Sequence, residues 1–154
     1  MMINLKCNIK KIFSTILIFC VMVTFMACTD KTNKPDKETP PQGGTEIIIT
    51  VGDTSFSAAL ENNETANAFK QRLPLTLDMS ELNGNEKYHY LSDNLPSNPS
   101  RVGTIRNGDI MLYGSNCVVL FYETFSSSYS YTRIGRVNDT DFFKSALGRS
   151  VVTV

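Results

Sequence analysis

Apolar and polar positions alternate with period two along most of residues 46–154, and a helical period interrupts that pattern in two places. Residues 46–51 (EIIITV) read as a strand, with Gly52 and Asp53 as a tight turn. Residues 54–60 set Phe56, Ala58 and Leu60 against Ser55, Ser57 and Ala59, so the two runs predict a hairpin with one buried face. Asn62 or Asn63 is placed to cap a helix from Glu64, in which Ala66, Phe69 and Leu73 fall at helical spacing. Pro74 ends it, because the residue before a proline is pushed out of the α region.

Period two then returns. Leu75, Leu77 and Met79 share one face against Thr76 and Asp78, and Asn83 and Gly84 mark a turn before a strand at 87–91. Residues 95–103 read as a loop, punctuated by Pro96 and Pro99. Asn107 and Gly108 predict a second hairpin turn, joining 104–106 to 109–113. Residues 117–122 (CVVLFY) are apolar throughout, as expected of a strand covered on both faces. Residues 124–132 read as a Ser/Tyr/Phe-rich loop and 133–137 as another strand. Asn138, with Asp141 three residues on, predicts the cap of a short helix whose apolar side is Phe142, Phe143, Ala146 and Leu147, and Gly148 ends it. Residues 151–154 form a last strand. The expectation is a mainly β fold, a closed barrel of about eight strands with two short helices, because closure removes the edges that strands otherwise present.

The N-terminal region follows different rules. Lys6, Lys10 and Lys11 precede an apolar run at 12–26, and Ala27 then precedes Cys28. That run is shorter than the ~20 residues a helix needs to cross the hydrocarbon core, so a secretory signal over 1–27 is favoured over an anchor helix. Phe25, Met26, Ala27 and Cys28 resemble the lipobox of bacterial lipoproteins, in which a small residue precedes the cysteine that becomes acylated, although Phe25 stands where a smaller aliphatic residue is usual. Residues 28–45 are rich in Lys, Asp, Thr, Pro and Gly and read as a flexible polar tether. The expected organisation is a signal over 1–27, a tether over 28–45 and one domain over 46–154. The chain would then be lipid-anchored at Cys28 to a membrane of the bacterial cell envelope, facing its extracytoplasmic side.

Charge and cysteine usage narrow the chemistry. The sequence holds 15 basic and 15 acidic residues, and removal of Lys6, Lys10 and Lys11 with the signal leaves a slightly acidic chain. Nucleic acid is a poor partner for such a surface, because phosphate neutralisation supplies most of that affinity. Cys117 is the one cysteine beyond the lipobox, so it has no internal disulfide to form, and its apolar run marks it as a core residue. His89 is the single histidine and reads as an exposed strand residue. No metal site, no cofactor site and no catalytic set is expected.

The run 108–113 (GDIMLY), the strand 115–122 and the segment 134–137 (IGRV) before a short helix resemble the second half of a cyclophilin-type barrel. The stretches 82–88 (LNGNEKY), 120–125 (LFYETF) and 129–131 (YSY) are similar to cyclophilin-like domains of bacterial lipoproteins and other small bacterial proteins. This resemblance covers 46–154 and implies the barrel. Cyclophilins twist the X–Pro bond with an arginine on a strand after the first helix, held near a phenylalanine and a glutamine. Between Leu75 and Leu91 this chain has no arginine, and Asn116 stands where the resemblance implies the glutamine. The expected activity is therefore non-catalytic binding of a peptide or small ligand. A peptidyl-prolyl isomerase with an altered site is the alternative, decided by whether Arg101, Arg106 or Arg133 reaches the groove. Tyr113, Asn116, Tyr122, Phe125, Tyr129 and Tyr131 are the candidate ligand-binding residues, because tyrosines among small polar neighbours give rigid contact surface with adaptable hydrogen bonds.

Overall fold

A computed structural model describes residues 44–148 and 152–154. The signal, Cys28 and the tether up to residue 43 lie outside the described residues, as does Val151. The elements run β1 (Glu46–Val51), β2 (Thr54–Leu60), α1 (Glu64–Lys70), β3 (Asp78–Leu82), β4 (Glu86–Tyr90), β5 (Ser100–Ile105), β6 (Asp109–Tyr113), β7 (Cys117–Phe121), β8 (Phe125–Val137), α2 (Phe143–Leu147) and β9 (Val152–Thr153).

The strands form an antiparallel barrel in the order β1-β2-β8-β6-β7-β4-β3-β9, with β5 paired to β8 off that path. Closure is nearly complete: eight strands follow one another around the wall, while the two ends, β1 and β9, flank a seam. An apolar cavity of about 460 Å³ opens there, lined by Ile47, Ile49, Leu77, Met79 and Val154 among others. The mainly β barrel with two short helices is thus the fold that the alternation predicts.

Side-chain parity explains the core. Inward residues of successive strands (Val51, Phe56, Leu60, Met79, Ile110, Leu112, Val118, Leu120 and Ile134) pack together with Phe69 of α1 and Phe143 and Leu147 of α2. Asn63 caps α1 as expected, its Oδ1 accepting the Ala66 N–H at 2.8 Å. Asn83 and Gly84 both have positive φ, 56° and 72°, the geometry of the two-residue turn that joins β3 to β4. At Gly135 the wall has no room for a side chain, since a Cβ would lie 2.5 Å from the Ala59 carbonyl oxygen.

The departures from expectation cluster on one side. Residues 100–103 belong to β5 and residues 125–131 to β8, where loops were expected, and these two segments pair with each other. The turn at Asn107 and Gly108 therefore does not close a β5–β6 hairpin: Thr104 and Ile105 pair with Ser126 and Phe125 instead. Asp109 explains the change of direction. Its carboxylate is buried, accepts the Arg106 N–H at 2.9 Å and grips the Arg136 guanidinium at 2.6 Å, which ties the turn to β8. The resulting ribbon of β5 and the first half of β8 lies over the outer face of β6 and β7. Ile105, Met111, Cys117, Val119, Phe121 and Tyr131 form a second apolar cluster beneath it, which is why residues 117–121 are buried on both faces.

The second helix also starts differently. Asn138 does not cap it: its amide donates to Ser57 Oγ at 3.0 Å, binding the end of β8 to β2. Phe142 adopts a left-handed φ of 64° before the helix and is 81% exposed, so it lies outside the apolar side assigned to it. Gly148 terminates the helix with φ 59°.

Candidate functional site

The ribbon does not cover β4. Between them a groove of about 460 Å³ remains, floored by the outer faces of β4, β6 and β7 and walled by the first half of β8. Parity decides which side chains reach it. Glu86, Tyr88 and Tyr90 alternate outward along β4, Tyr113 ends β6 on the same side, and Cys117 and Val119 lie in register with Tyr90 and Tyr88. Phe125, Tyr129 and Tyr131 come from β8.

The rings form two sets. Tyr113 meets Tyr129 edge to face at 6.3 Å and Tyr131 at 5.5 Å, and Tyr88 meets Tyr90 edge to face at 5.8 Å. Tyr131 also stands on Phe121 at 5.5 Å, edge to face, which anchors the wall to the second apolar cluster. Four of the six candidate residues, Tyr113, Phe125, Tyr129 and Tyr131, thus line one groove. The other two do not. Asn116 lies in the β6–β7 turn and donates its Nδ2 to the Leu91 carbonyl. Tyr122 has the opposite parity from Phe121, points into the barrel and donates its hydroxyl to Glu81 Oε1 at 2.6 Å.

Sequence reasoning missed the β4 side of the groove. The outward alternation of Glu86, Tyr88 and Tyr90 was present in the string EKYHY, interleaved with Lys87 and His89. Those two have the other parity. Lys87 is wholly buried in the barrel, and the His89 ring meets the Asp78 carbonyl.

Electrostatics mark one group above the rest. Burial pushes the Glu86 carboxyl up to about 7, with repulsion from Glu81 adding to it. Burial likewise raises the Tyr131 hydroxyl to about 12, with the Glu86 charge contributing. The Cys117 thiol is raised by burial, opposed by a hydrogen bond from Tyr90 and reinforced by Glu86. A thiol held in its protonated form is a poor nucleophile. Its possible base, His89, is on the opposite face of β4 from Tyr90, the strand partner of Cys117. Among the described residues no group of three or more His, Cys, Asp or Glu side chains is placed to hold a metal ion.

None of the three candidate arginines lines the groove. Arg133 borders a separate depression near Asn63 and Pro96 and faces Asp109 at 3.6 Å. Arg106 gives its backbone N–H to Asp109, and Arg101 is exposed on β5.

No curated protein and no solved structure gives a significant match to the chain. A family model described as the cyclophilin-like family does match, over residues 49–154, from the second half of β1 through β9. With the barrel, its two helices and that match in agreement, the chain belongs to the cyclophilin-like family.

Proposed function

We propose that this chain is an envelope lipoprotein, held by a lipid on Cys28, whose cyclophilin-like domain binds a peptide or small ligand in the tyrosine groove without isomerising it. The observation that carries the reading is the groove itself: five tyrosines and Phe125 surround it, and among the described residues no arginine lines it. Its volume falls in the usual range of ligand sites, ~300–1,000 Å³. Half-exposed rings such as Tyr113 and Tyr129 supply contact area that is already ordered before a ligand arrives.

The same observation counts against isomerase activity. Stabilising a twisted amide calls for a fixed fork of donors at the reacting bond. The groove presents carboxylate, hydroxyl and amide groups instead.

Two assays test the proposal together. A random peptide library panned on the chain lacking residues 1–27 is expected to enrich sequences whose capture is lost on joint Tyr113→Ala and Tyr129→Ala substitution. Cis–trans exchange in a proline-containing test peptide is expected to proceed at its uncatalysed rate. Enrichment indifferent to both tyrosines would move the binding site elsewhere. Acceleration abolished by removing Arg101, Arg106 or Arg133 would make the protein an isomerase.

A further inference from the structure

The groove contains a carboxylate that no side chain among the described residues neutralises. Glu86 pairs in register with Phe121, lines the groove, and makes no side-chain hydrogen bond or ion pair among the described residues. Among the described residues no lysine, arginine or histidine lines the groove. Partial burial of a carboxylate without a partner works against folding, so a charge held this way points to a use outside the folded chain.

The surroundings favour a positive guest. Tyr88, Tyr90, Tyr113, Tyr129 and Tyr131 line the same space, and aromatic rings attract cations placed over their faces. Asn85 Oδ1 is buried without a hydrogen-bond partner and belongs to the same lining. This oxygen and the Glu86 carboxylate are both acceptors, so the groove suits an incoming group that only donates hydrogen bonds.

We propose that the groove takes an organic cation, specifically a guanidinium such as an arginine side chain, with Glu86 as its counter-ion and the tyrosine rings as its walls. This rests on the reading of the groove as a ligand site. A guanidinium fits better than an ammonium for three reasons. It is flat and stacks on rings, it is weakly hydrated and loses less on entering a partly dry groove, and its fork of donors reaches two acceptors at once.

Two short peptides test this, acetyl-Gly-Arg-Gly-amide and the same peptide with citrulline, the neutral isostere of arginine. Each is titrated into the isotope-labelled full chain in detergent micelles, following the backbone amides of Glu86, Tyr88, Tyr113 and Tyr129. The arginine peptide is expected to bind ~10-fold or more tightly than the citrulline peptide, the size of one charge-assisted contact. Added salt should narrow that gap, and Glu86→Gln should close it to within ~2-fold by weakening the arginine peptide more than the citrulline peptide. Because the substitution is isosteric, an unaltered amide spectrum away from the groove verifies the fold. Equal binding of both peptides at the groove overturns the cation inference and leaves the ligand-site reading standing. An arginine preference that survives Glu86→Gln overturns the role of Glu86. Shifts at the groove with neither peptide overturn both.

Discussion

Lys87 Nζ stands 2.8 Å from Glu81 Oε2, and no part of the lysine side chain reaches solvent. The other oxygen of Glu81 accepts the Tyr122 hydroxyl at 2.6 Å and the Gly84 N–H at 2.8 Å. One carboxylate therefore ties the β3–β4 turn to the inside of the barrel. Burial alone would raise its pKa, but Lys87, Tyr122 and Gly84 together outweigh burial and hold it below its ordinary 4.5.

Breaking this network from one side should be costly, and replacing it whole should not. Lys87→Ala removes the wholly buried member of the pair, leaves a gap in the barrel and should cost ~3–5 kcal/mol in urea unfolding. Lys87→Met combined with Glu81→Leu and Tyr122→Phe should recover most of that loss, because apolar replacements of a buried ion pair are often neutral. The pH profile gives a second check. A depressed carboxylate contributes its full stability above its ordinary pKa of 4.5 and loses it as pH falls through the lower folded value. The triple variant should lack that acid-side decline. An unimpaired Lys87→Ala would mean that the barrel interior admits water at this end.

Tyr129 and Tyr131 stand two residues apart on one strand yet should respond oppositely to truncation. Tyr131 is buried against Phe121 and Tyr113, whereas Tyr129 is 62% exposed. Tyr131→Ala should cost ~3–5 kcal/mol, the range for a large aromatic taken from a packed interior. Tyr129→Ala should stay within ~0.5 kcal/mol in stability and act on binding alone. Thermal melts of the two variants decide this, and similar losses at both positions would mean that the β8 wall is packed along its whole length.

These contrasts show where the sequence was legible. The β1–β2 hairpin, the Asn63 cap and the turn at Asn83 and Gly84 are local, with signals confined to a few adjacent residues. The pairing of β5 with β8 is not local. Its partners, such as Thr104 and Ser126, are far apart in the chain, and a serine-rich strand has the composition of a loop. The expected hairpin at Asn107 and Gly108 failed because a buried Asp109 redirected the chain, and its ion pair with Arg136 is invisible before folding. The groove was half legible for the same reason. The tyrosines of β8 stood out by composition, while the environment of Glu86 exists only once the ribbon folds beside β4.

Lipidation at Cys28 is testable without reference to the fold. Ala27 before Cys28, the apolar run ahead of it and the polar stretch behind it motivate the proposal. In a bacterial host, Cys28→Ser should abolish labelling by a fatty-acid probe and leave an unprocessed precursor, seen as slower migration on a denaturing gel. A single acyl chain holds a protein only marginally, so the wild-type chain should carry two or more and stay with membranes through a high-salt wash. Unchanged labelling or processing in the serine variant would remove the lipoprotein proposal and favour an ordinary signal or an anchor helix.

Glu86 should make the protein less stable as pH rises toward neutrality. Its folded pKa is raised from 4.5 to about 7, so between those values the folded chain keeps a proton that the unfolded chain has released. Stability then falls across that window as pH climbs, by about 1–2 kcal/mol once solvent screening of a partly exposed group is allowed for. The groups coupled to it there leave the window clear. Glu81 is held below its ordinary value, while Cys117 and Tyr131 are pushed up and keep their protons. Glu86→Gln removes the titration, so the variant should match the wild type near about pH 5 and exceed it near about pH 8, as read from urea midpoints. A bound guanidinium stabilises the charged carboxylate, so affinity for the arginine peptide should rise as Glu86 loses its proton, and binding below about pH 7 should release a proton. The groove would then be least stable under the conditions in which it binds best, the usual relation between a poised site and its fold. Parallel stability profiles for wild type and Glu86→Gln across this window would mean that the carboxyl is already well solvated, and the counter-ion role would lose its electrostatic basis.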